Sequence, residues 1–274
     1  MQPVKKYFAY ILLATIVISF GACKTVPYRK VVKSTDLDFK YTQAKTYFDK
    51  GQYVKAKPLF EELITLFKGT KSIDEIYFMY AQCHFHEQEF LSASFHFKNI
   101  HDSYPLSQFA EECLYRYAEC YFYLSPNPNL DQTFTEKGLE AMQLYINSYP
   151  ETTRINEANN IIDLLRRKLE IKEYTTALLY LKTRHYKASA VSFQSLLNNY
   201  PDTEDAEEAE FNIIKAYFLY AENSYKRLQV DRYKLAIKAF QSFEKKHKES
   251  KFYKTAREYY DTSQKRIEDI LSQN

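Results

Sequence analysis

A pattern of aromatic and small residues recurs at an interval of 37 positions, and this repeat is the feature that most constrains the fold. Segment 47–60, YFDKGQYVKAKPLF, aligns with segment 84–97, HFHEQEFLSASFHF, and a further shift of 37 continues the pattern. Aromatic residues fall on aromatic residues and alanines on alanines, as in Phe48 and Phe85, Tyr53 and Phe90, Ala56 and Ala93, Phe60 and Phe97, and Ala44, Ala81 and Ala118. The repeat predicts two helices joined by a short turn, with small residues where the helices touch.

A Tyr-Pro pair closes several of these repeats, within DSYP (102–105), NSYP (147–150) and NNYP (198–201). Proline has no N–H and disfavours helix in the residue before it, so each pair predicts the end of a second helix. The closures and the repeat together predict five helix pairs, of which the fourth has a long first helix at about 154–182. A polar last helix at about 250–271 suits the cap that a stack of repeats needs.

The order of these residues resembles that of the tetratricopeptide repeat, a helix pair with small and aromatic residues at fixed positions. In the first repeat those positions hold Ala44, Tyr47, Gly51, Tyr53, Ala56 and Phe60, and in the second they hold Ala81, His84, Phe90, Ala93, Phe97 and a closing Pro105. The resemblance implies an all-α fold: a right-handed superhelical solenoid of about five tetratricopeptide-like helix pairs with a C-terminal capping helix. The chain's four widely spaced glycines also exclude glycine-rich phosphate-binding loops.

The first 22 residues have the layout of a lipoprotein signal peptide. A lysine pair at 5–6 precedes a 14-residue apolar run, Tyr7–Phe20, and two small residues then precede Cys23. The run is shorter than the roughly 20 residues that span a bilayer comfortably. The ending resembles a bacterial lipobox, although Phe20 stands where an aliphatic residue is usual, and it implies diacylglycerol and an N-acyl chain on Cys23. An uncleaved anchor and an ordinary cleaved signal remain as alternatives.

The segment that follows Cys23 is basic. It carries Lys24, Arg29, Lys30 and Lys33 and has no acidic residue before Asp36. We interpret 24–35 as a basic tether near anionic headgroups, the alternative being an ordinary solvated linker. Removal of residues 1–22 takes away two of the 38 basic residues and none of the 35 acidic ones, so the net charge falls from +3 to +1. That balance argues against a nucleic-acid-binding protein.

The sequence shows no catalytic or metal-binding motif. HEQEF (86–90) starts like the zinc motif H-E-x-x-H but lacks the second histidine, and G-x-S-x-G cannot be formed. Cys113 and Cys120, seven apart on one predicted helix, lie about 10.5 Å apart along it, beyond the roughly 7 Å that a disulfide spans. We expect buried thiols, with a Cys83–Cys120 bridge left open. We therefore expect no enzyme activity, no metal and no cofactor besides the acyl groups.

A lipoprotein signal followed by five degenerate repeats, Tyr-Pro closures and loops in repeats three and five resembles the BamD family, lipoproteins of the outer-membrane β-barrel assembly (BAM) machinery. The resemblance implies a scaffold in the outer membrane, lipid-anchored and facing the periplasm. It implies a signal peptide at 1–22 and a lipidated N-terminus and tether at 23–35. Repeats 1–3, at 36–150, would receive unfolded outer-membrane proteins. Repeats 4–5 with the cap, at 151–274, would hold the periplasmic domains of a BamA-like barrel subunit, alongside other assembly subunits.

A different class of lipoprotein remains as the alternative. Another periplasmic tetratricopeptide lipoprotein would serve as an adaptor for cell-envelope enzymes or for glycan uptake. The chain contains no Trp, which counts against the stacking surfaces that sugars use.

Two aromatic positions on the first helix of the early repeats mark the candidate site. They are Tyr41, Phe78 and Tyr115, and, seven residues later on the same helix face, Phe48, Phe85 and Phe122. We predict that these six side chains line a groove for extended, aromatic-rich segments of nascent barrel proteins. The alternative is that they pack against neighbouring helices.

Overall fold

The structure is a computed structural model that describes residues 26–273. The predicted signal peptide 1–22, Cys23 and the first tether residues lie outside the described residues. Every regular element between residues 26 and 273 is a helix. The helices are α1 Tyr28–Val32, α2 Leu37–Asp49, α3 Tyr53–Leu66, α4 Ile73–His86, α5 Phe90–Ser103, α6 Ala110–Leu124, α7 Thr133–Ser148, α8 Ile155–Lys182, α9 Tyr186–Asn199, α10 Ala206–Glu222, α11 Lys226–Lys246 and α12 Tyr253–Ser272.

Consecutive helices pair as the repeat predicts. Helices α2 to α11 form five pairs, each helix packing on the next within its part of the chain, and α12 packs on α10 and α11. The alanines predicted at helix contacts, Ala44, Ala56, Ala81, Ala93 and Ala118, are fully buried. The prediction of an all-α fold of tetratricopeptide-like helix pairs with a final capping helix is confirmed.

The chain divides into two compact units at residue 109. Unit 1 contains α1 and the first two repeats, with Leu59, Phe60, Leu63 and Ile76 at the centre of its core. Unit 2 contains repeats three to five and α12, with separate apolar clusters along its length. The grouping of repeats 1–3 in 36–150 and of repeats 4–5 in 151–274 stays a prediction.

The 37-residue repeat reappears as nearly identical aromatic geometry in the two repeats of unit 1. Phe48 meets Tyr53 edge-on at 5.4 Å and Phe60 at 6.2 Å between ring centroids. The equivalent Phe85 meets Phe90 at 5.5 Å and Phe97 at 6.3 Å, again edge-on. Edge-to-face pairs of this kind stabilise by about 0.5–1.5 kcal/mol each. Both repeats are therefore closed by the same three-ring contact between first and second helix.

The Tyr-Pro closures end their helices in one conformation. Tyr104, Tyr149 and Tyr200 have φ of −130°, −131° and −133° with ψ of 61°, 66° and 72°. Each tyrosine N–H donates to the carbonyl oxygen four residues earlier, which finishes the helix before the proline. The fifth repeat has Lys248 in place of proline, yet His247 takes a similar shape, with φ −128° and ψ 45°. Proline therefore favours this ending but is not required for it.

The turn inside three of the repeats places one residue in the left-handed region. That residue is Gly51 with φ 68°, Gln88 with φ 61° and Arg184 with φ 64°. In each turn its N–H donates to the carbonyl three residues back, and the next N–H donates to the carbonyl five residues back. Glycine adopts this conformation without a steric cost, whereas Gln88 and Arg184 bear one.

The substitution Arg184→Gly should therefore stabilise the protein. The side chain is exposed, and relief of the left-handed conformation should raise the free energy of unfolding by about 1 kcal/mol. Urea denaturation followed by far-UV circular dichroism measures the change. Gly51→Ala is the matched control and should lower the free energy of unfolding by a similar amount. If the urea concentration at the midpoint of unfolding is no higher for Arg184→Gly than for the parent, the left-handed conformation of Arg184 does not destabilise the protein.

The predicted loop of the third repeat is pinned to the long helix α8. The Lys168 ammonium donates to the carbonyl and the hydroxyl oxygen of Ser125, both at 2.9 Å. One turn further along, Lys172 donates to the Asn129 carbonyl at 3.0 Å. The extra length of α8, which the sequence predicts, thus serves to hold this insertion.

Part of the segment predicted to be a tether is folded onto unit 1. Val31 of α1 is fully buried in the core of unit 1, and Val26 and Tyr28 pack against the same core. The Tyr28 ring meets Tyr47 edge-on at 5.6 Å, and its hydroxyl donates to the Lys55 carbonyl at 3.2 Å. The sequence does not predict this contact, because α1 is little more than one helical turn.

Among the helices between residues 26 and 273, none combines the length and the apolar character needed to cross a membrane. Cys83, Cys113 and Cys120 are buried and form no disulfide with one another, so the Cys83–Cys120 bridge left open by the sequence is not formed. Burial raises the pKa of the Cys83 thiol to about 12, which leaves it with little thiolate at neutral pH.

Candidate functional site: aromatic surfaces of the first helices

The six predicted groove residues divide between the two units. Unit 1 holds four of them on α2 and α4, and unit 2 holds two on α6. Five of the side chains are partly buried, namely Tyr41, Phe48, Phe78, Phe85 and Phe122, and Tyr115 is buried. Both interpretations thus contribute: these rings pack against neighbouring helices, and five of them keep part of their surface accessible.

An exposed imidazole joins Phe48 and Phe85. The centroid of the His86 ring lies 6.5 Å from Phe48 and 6.0 Å from Phe85, and it stacks on Tyr53 at 4.2 Å with an interplanar angle of 5°. With Phe90 beside Phe85, these rings form one run across the adjacent ends of α2, α3, α4 and α5. We call the five residues, Phe48, Tyr53, Phe85, His86 and Phe90, the aromatic strip.

The sequence reading missed His86 as a member of this surface. It treated the residue as the start of an incomplete zinc motif. The available signal was position: His86 directly follows Phe85 at the last turn of α4, opposite the second helix of the preceding repeat. Its parallel stack on Tyr53 is a contact between two repeats, so it cannot be predicted from the sequence of one repeat alone.

Tyr41 lies at a polar edge between the first helices of repeats one and two. Lys45 on α2 donates to Glu75 on α4 at 2.9 Å. Burial raises the pKa of the Tyr41 hydroxyl, and the nearby Glu75 carboxylate raises it further. The ring also approaches Phe67 at 6.4 Å. Tyr41 therefore offers a ligand a hydroxyl that stays protonated, next to an ion pair.

Phe78 is largely engaged in packing. Its ring stacks on Phe109 at 4.6 Å with an interplanar angle of 14°, and it approaches Phe97 at 6.2 Å. Phe109 belongs to the segment after the first Tyr-Pro closure. This member of the predicted groove thus serves mainly to fix that segment against α4.

Tyr115 is 2% exposed and does not belong to an accessible groove. It packs edge-on against Tyr145 at 5.3 Å, and the Arg154 guanidinium lies 4.7 Å above its ring. Burial raises the pKa of its hydroxyl, and the nearby Glu157 carboxylate raises it further. The prediction for Tyr115 needs this correction because α7 and the start of α8 cover it.

Phe122 keeps part of its surface beside a cation. The Lys168 ammonium lies 5.9 Å from the centroid of the Phe122 ring, and Tyr123 packs edge-on at 5.6 Å. Lys168 is already held by Ser125, so the cation is fixed in place. In unit 2 the predicted aromatic surface is therefore reduced to this one ring and its neighbour, Tyr123, which is half exposed.

Two histidines of unit 1, His84 and His96, form an aromatic cluster. His84 stacks on His96 at 5.0 Å, and its Nδ1 shares a hydrogen bond of 2.5 Å with Glu89. Lys57 pairs with Glu87 and Glu89 beside it. Throughout the described part of the chain, no group of three or more His, Cys, Asp or Glu side chains is arranged to hold a metal ion.

Unit 2 contains an open cleft between the start of α10 and the segment that joins α11 to α12. Its volume is about 780 Å³. The α10 side of the cleft is acidic and the other side is mainly basic, with Glu204, Asp205, Glu207 and Glu208 on the first and Lys245, Lys246, Lys248 and Lys251 together with Glu249 on the second. Phe252 also lines the cleft and stacks on Phe211 at 4.7 Å. Mixed charge around a small apolar centre is typical of surfaces that dock other proteins.

Comparison with known proteins identifies relatives of the chain. The model of a family described as outer membrane lipoprotein, YfiO, matches residues 34–227. A segment of 89 residues is 30% identical to the outer membrane protein assembly factor BamD of Caulobacter vibrioides; it covers 32% of this chain and 29% of that protein.

Two solved structures also resemble the chain. The tetratricopeptide domain of P58(IPK) has a TM-score of 0.41 at 13% identity, covering 88% of this chain and 68% of that one. The yeast histone chaperone Hif1 has a TM-score of 0.27 at 13% identity, covering 72% and 94%. Likenesses at these TM-scores support no conclusion about this chain.

Proposed function

The chain belongs to the YfiO family of outer membrane lipoproteins, and on that premise we propose that it is a scaffold subunit of an outer-membrane β-barrel assembly complex. In this proposal it is anchored by lipid on Cys23, faces the periplasm, and performs no chemical reaction of its own. It binds unfolded outer-membrane proteins and a BamA-like barrel subunit, and it brings the two together.

The family match over residues 34–227 is the observation that carries this proposal. The relative from Caulobacter vibrioides is named as an outer membrane protein assembly factor, and the matched segment is a third of this chain, so assembly remains a proposal here. The helix pairs agree with a scaffold role, because stacked repeats offer extended surfaces on which two proteins bind side by side.

We assign substrate capture to the aromatic strip of unit 1. An extended segment of an unfolded barrel protein alternates aromatic and polar side chains, and rings such as Phe48, Phe85 and His86 bind aromatic groups by stacking and edge contacts. The Lys45–Glu75 pair beside Tyr41 supplies polar partners for the peptide backbone. Since the strip uses rings rather than net charge, binding should tolerate many different sequences.

We assign the barrel subunit to the charged cleft of unit 2. Opposed acidic and basic walls fix the orientation of a folded partner and favour its association. A folded periplasmic domain is better matched to this open cleft than an unfolded chain, because complementary charges require fixed positions on both partners.

Co-isolation from detergent-solubilised membranes tests the proposed function. We expect the tagged protein to retain a barrel-forming subunit, and Glu204→Lys combined with Glu208→Lys to release it; both side chains are exposed. The matched control, Glu258→Lys combined with Glu268→Lys on α12, should retain it. Isolation of glycan-uptake or cell-wall proteins in place of a barrel subunit would overturn the proposal.

Conservative loss of two rings tests substrate capture. We expect Phe48→Leu combined with Phe85→Leu to weaken binding of an aromatic-rich barrel-strand peptide about tenfold, because two aromatic contacts are lost while apolar packing is kept. Fluorescence anisotropy of the labelled peptide measures the dissociation constant, and circular dichroism confirms folding.

The control for that experiment is Phe95→Leu. Phe95 is 65% exposed on α5 and lies outside the aromatic strip, so its loss should leave the dissociation constant unchanged. Equal weakening by both changes would indicate nonspecific apolar binding, and unchanged binding in the Phe48 and Phe85 variant would remove the strip from the proposed function.

A further inference from the structure

The fold of unit 1 begins only a few residues after the proposed anchor. Val26 already packs against the core, so only two residues, 24 and 25, separate Cys23 from the packed part of unit 1. Consecutive Cα atoms are about 3.8 Å apart, so three peptide steps place Val26 within about 11 Å of Cys23. A lipid on Cys23 would therefore hold this end of unit 1 at the bilayer surface, where an unstructured tether through residue 35 would let it move away.

The surface at that end of unit 1 is basic. Arg29, Lys30 and Lys33 are exposed on and just after α1. Lys55 joins them from the start of α3, since its carbonyl accepts the Tyr28 hydroxyl and its ammonium lies 5.6 Å above the Tyr47 ring. We call Arg29, Lys30, Lys33 and Lys55 the basic surface.

These four cations are not neutralised by the protein. None of them makes an ion pair within residues 26–273, and residues 1–25 contain no acidic residue. Two of the neighbouring acids are engaged elsewhere: Asp36 accepts the Phe39 N–H at the start of α2, and Asp49 interacts with Lys45 and Tyr41. The positive charge therefore faces outward.

Apolar side chains accompany the charges. Val32 on α1 is 42% exposed and Val54, next to Lys55, is 76% exposed. Val31, by contrast, is fully buried and fixes α1 to the core. A rigid surface of four cations and two aliphatic side chains beside a lipid attachment matches the interface of a bilayer, where basic residues meet headgroups and apolar ones reach the acyl boundary.

We propose that this basic surface docks unit 1 on an anionic lipid bilayer and fixes its orientation there. The inference rests on the lipid anchor of the proposed function and adds a second attachment to it. Each Lys or Arg close to an anionic membrane adds a modest electrostatic attraction, so four of them orient a protein that is already anchored and do not hold it there alone.

The orientation can be measured by energy transfer from a single tryptophan, since the chain has none of its own. Gln52→Trp places the donor next to Lys55 of the basic surface, at an exposed position at the start of α3. Leu106→Trp places the donor about one helix length away. His86, in the last turn of α4, stacks on Tyr53, whereas Asp74, in the first turn of α4, accepts a hydrogen bond from Ser107, the neighbour of residue 106. The 14-residue helix spans about 20 Å.

The full lipidated protein is reconstituted into vesicles that carry a dansyl headgroup lipid. The vesicles are phosphatidylcholine alone, or phosphatidylcholine with phosphatidylglycerol at one part in three. We expect transfer from residue 52 to rise about twofold on the anionic vesicles and to fall to the neutral level in about 1 M salt. Transfer from residue 106 should be the same on both vesicles.

Paired charge removal supplies the matched control. Lys30→Gln with Lys33→Gln should abolish the rise at residue 52, whereas Lys68→Gln with Lys71→Gln, two exposed lysines in the loop after α3, should leave it intact. Equal transfer on neutral and anionic vesicles would overturn the proposal, as would an equal effect of both charge pairs.

The anchor and the basic surface can fail separately. Mass spectrometry of the purified protein reports whether acyl groups are attached at Cys23. If the acyl groups are absent, the proposed anchor is wrong. The Cys23 thiol of the same chain is then coupled to a maleimide lipid, and the energy-transfer measurement on this protein still tests the role of the basic surface.

Discussion

Loss of Cys23 should move the protein almost completely from the membrane to the soluble fraction. The change to make is Cys23→Ala together with an ordinary cleavable secretion signal in place of residues 1–22, so that no apolar segment is retained. Two or more acyl chains hold a protein firmly, whereas one chain binds marginally. Once the acyl chains are removed, the proposed attachments that remain are the basic surface and protein partners.

Fractionation followed by immunoblotting measures this release, with a wash in high salt to remove electrostatic contacts. The released protein should unfold at the temperature of the parent, because α1 remains docked through Val31 and Tyr28. Cys83→Ala, with residues 1–23 unchanged, is the control for loss of a thiol and should stay at the membrane. Retention of the Cys23→Ala protein after the salt wash would show that partners, not acyl chains, provide the main attachment.

The sequence predicted most of the helix pairs because their signals are local and repeated. A shift of 37 aligns Phe48, Tyr53 and Phe60 with Phe85, Phe90 and Phe97, and the structure gives both sets the same ring geometry. The long α8 was also predicted, at about 154–182 against the observed Ile155–Lys182. Periodicity is reliable here since each helix must bury one face against its neighbours.

The surface was harder to predict, because it depends on contacts between residues far apart in sequence. Tyr115 occupies the same repeat position as Tyr41 and Phe78, yet Arg154 and Tyr145 cover it. A repeat position fixes the direction of a side chain but not what a later helix places over it. Sequence spacing therefore gave the correct helix face and one wrong exposure.

The N-terminal segment shows a second limit of sequence reasoning. Residues 24–35 are basic and short of apolar residues, which is typical of a linker, but Tyr28 and Val31 bind the core of unit 1. One turn of helix is too short to show periodicity. Its docking is decided by tertiary contacts, here a T-shaped ring pair and a buried valine.

Acid should destabilise the protein through His96. This imidazole lies among His84, Tyr77 and Tyr80 of α4, with ring centroids 4.9 to 5.7 Å away. The Tyr77 hydroxyl accepts a hydrogen bond from Asn99 at 2.8 Å, which directs its own proton to His96 Nδ1 at 3.2 Å. That bond requires the unprotonated nitrogen. Burial, and then the charge of His84, lowers the pKa of His96 to about 4.

The direction of the pH effect on stability follows from the pKa of His96 in the folded and in the unfolded protein. The pKa of an unfolded histidine is about 6.5, so between pH 6.5 and 4 the unfolded chain binds a proton that the folded protein does not. Stability is therefore full above pH 6.5 and declines as the pH falls towards 4. Allowing for the partial exposure of the ring, we expect a loss of about 2 kcal/mol over this range. Urea denaturation at a series of pH values measures it.

Replacement of the titrating group isolates this contribution. His96→Phe keeps a ring in the cluster and should flatten the pH profile between 6.5 and 4 by about 2 kcal/mol relative to the parent. His185→Asn removes an exposed histidine and should leave the profile unchanged. Glu89, which shares a hydrogen bond with His84, has a pKa that is lowered, chiefly by Lys57, so the stability it contributes is lost at the acid side of the profile. If the free energy of unfolding of His96→Phe depends on pH as steeply as that of the parent, the carboxylates around Lys57, not His96, cause the loss of stability in acid.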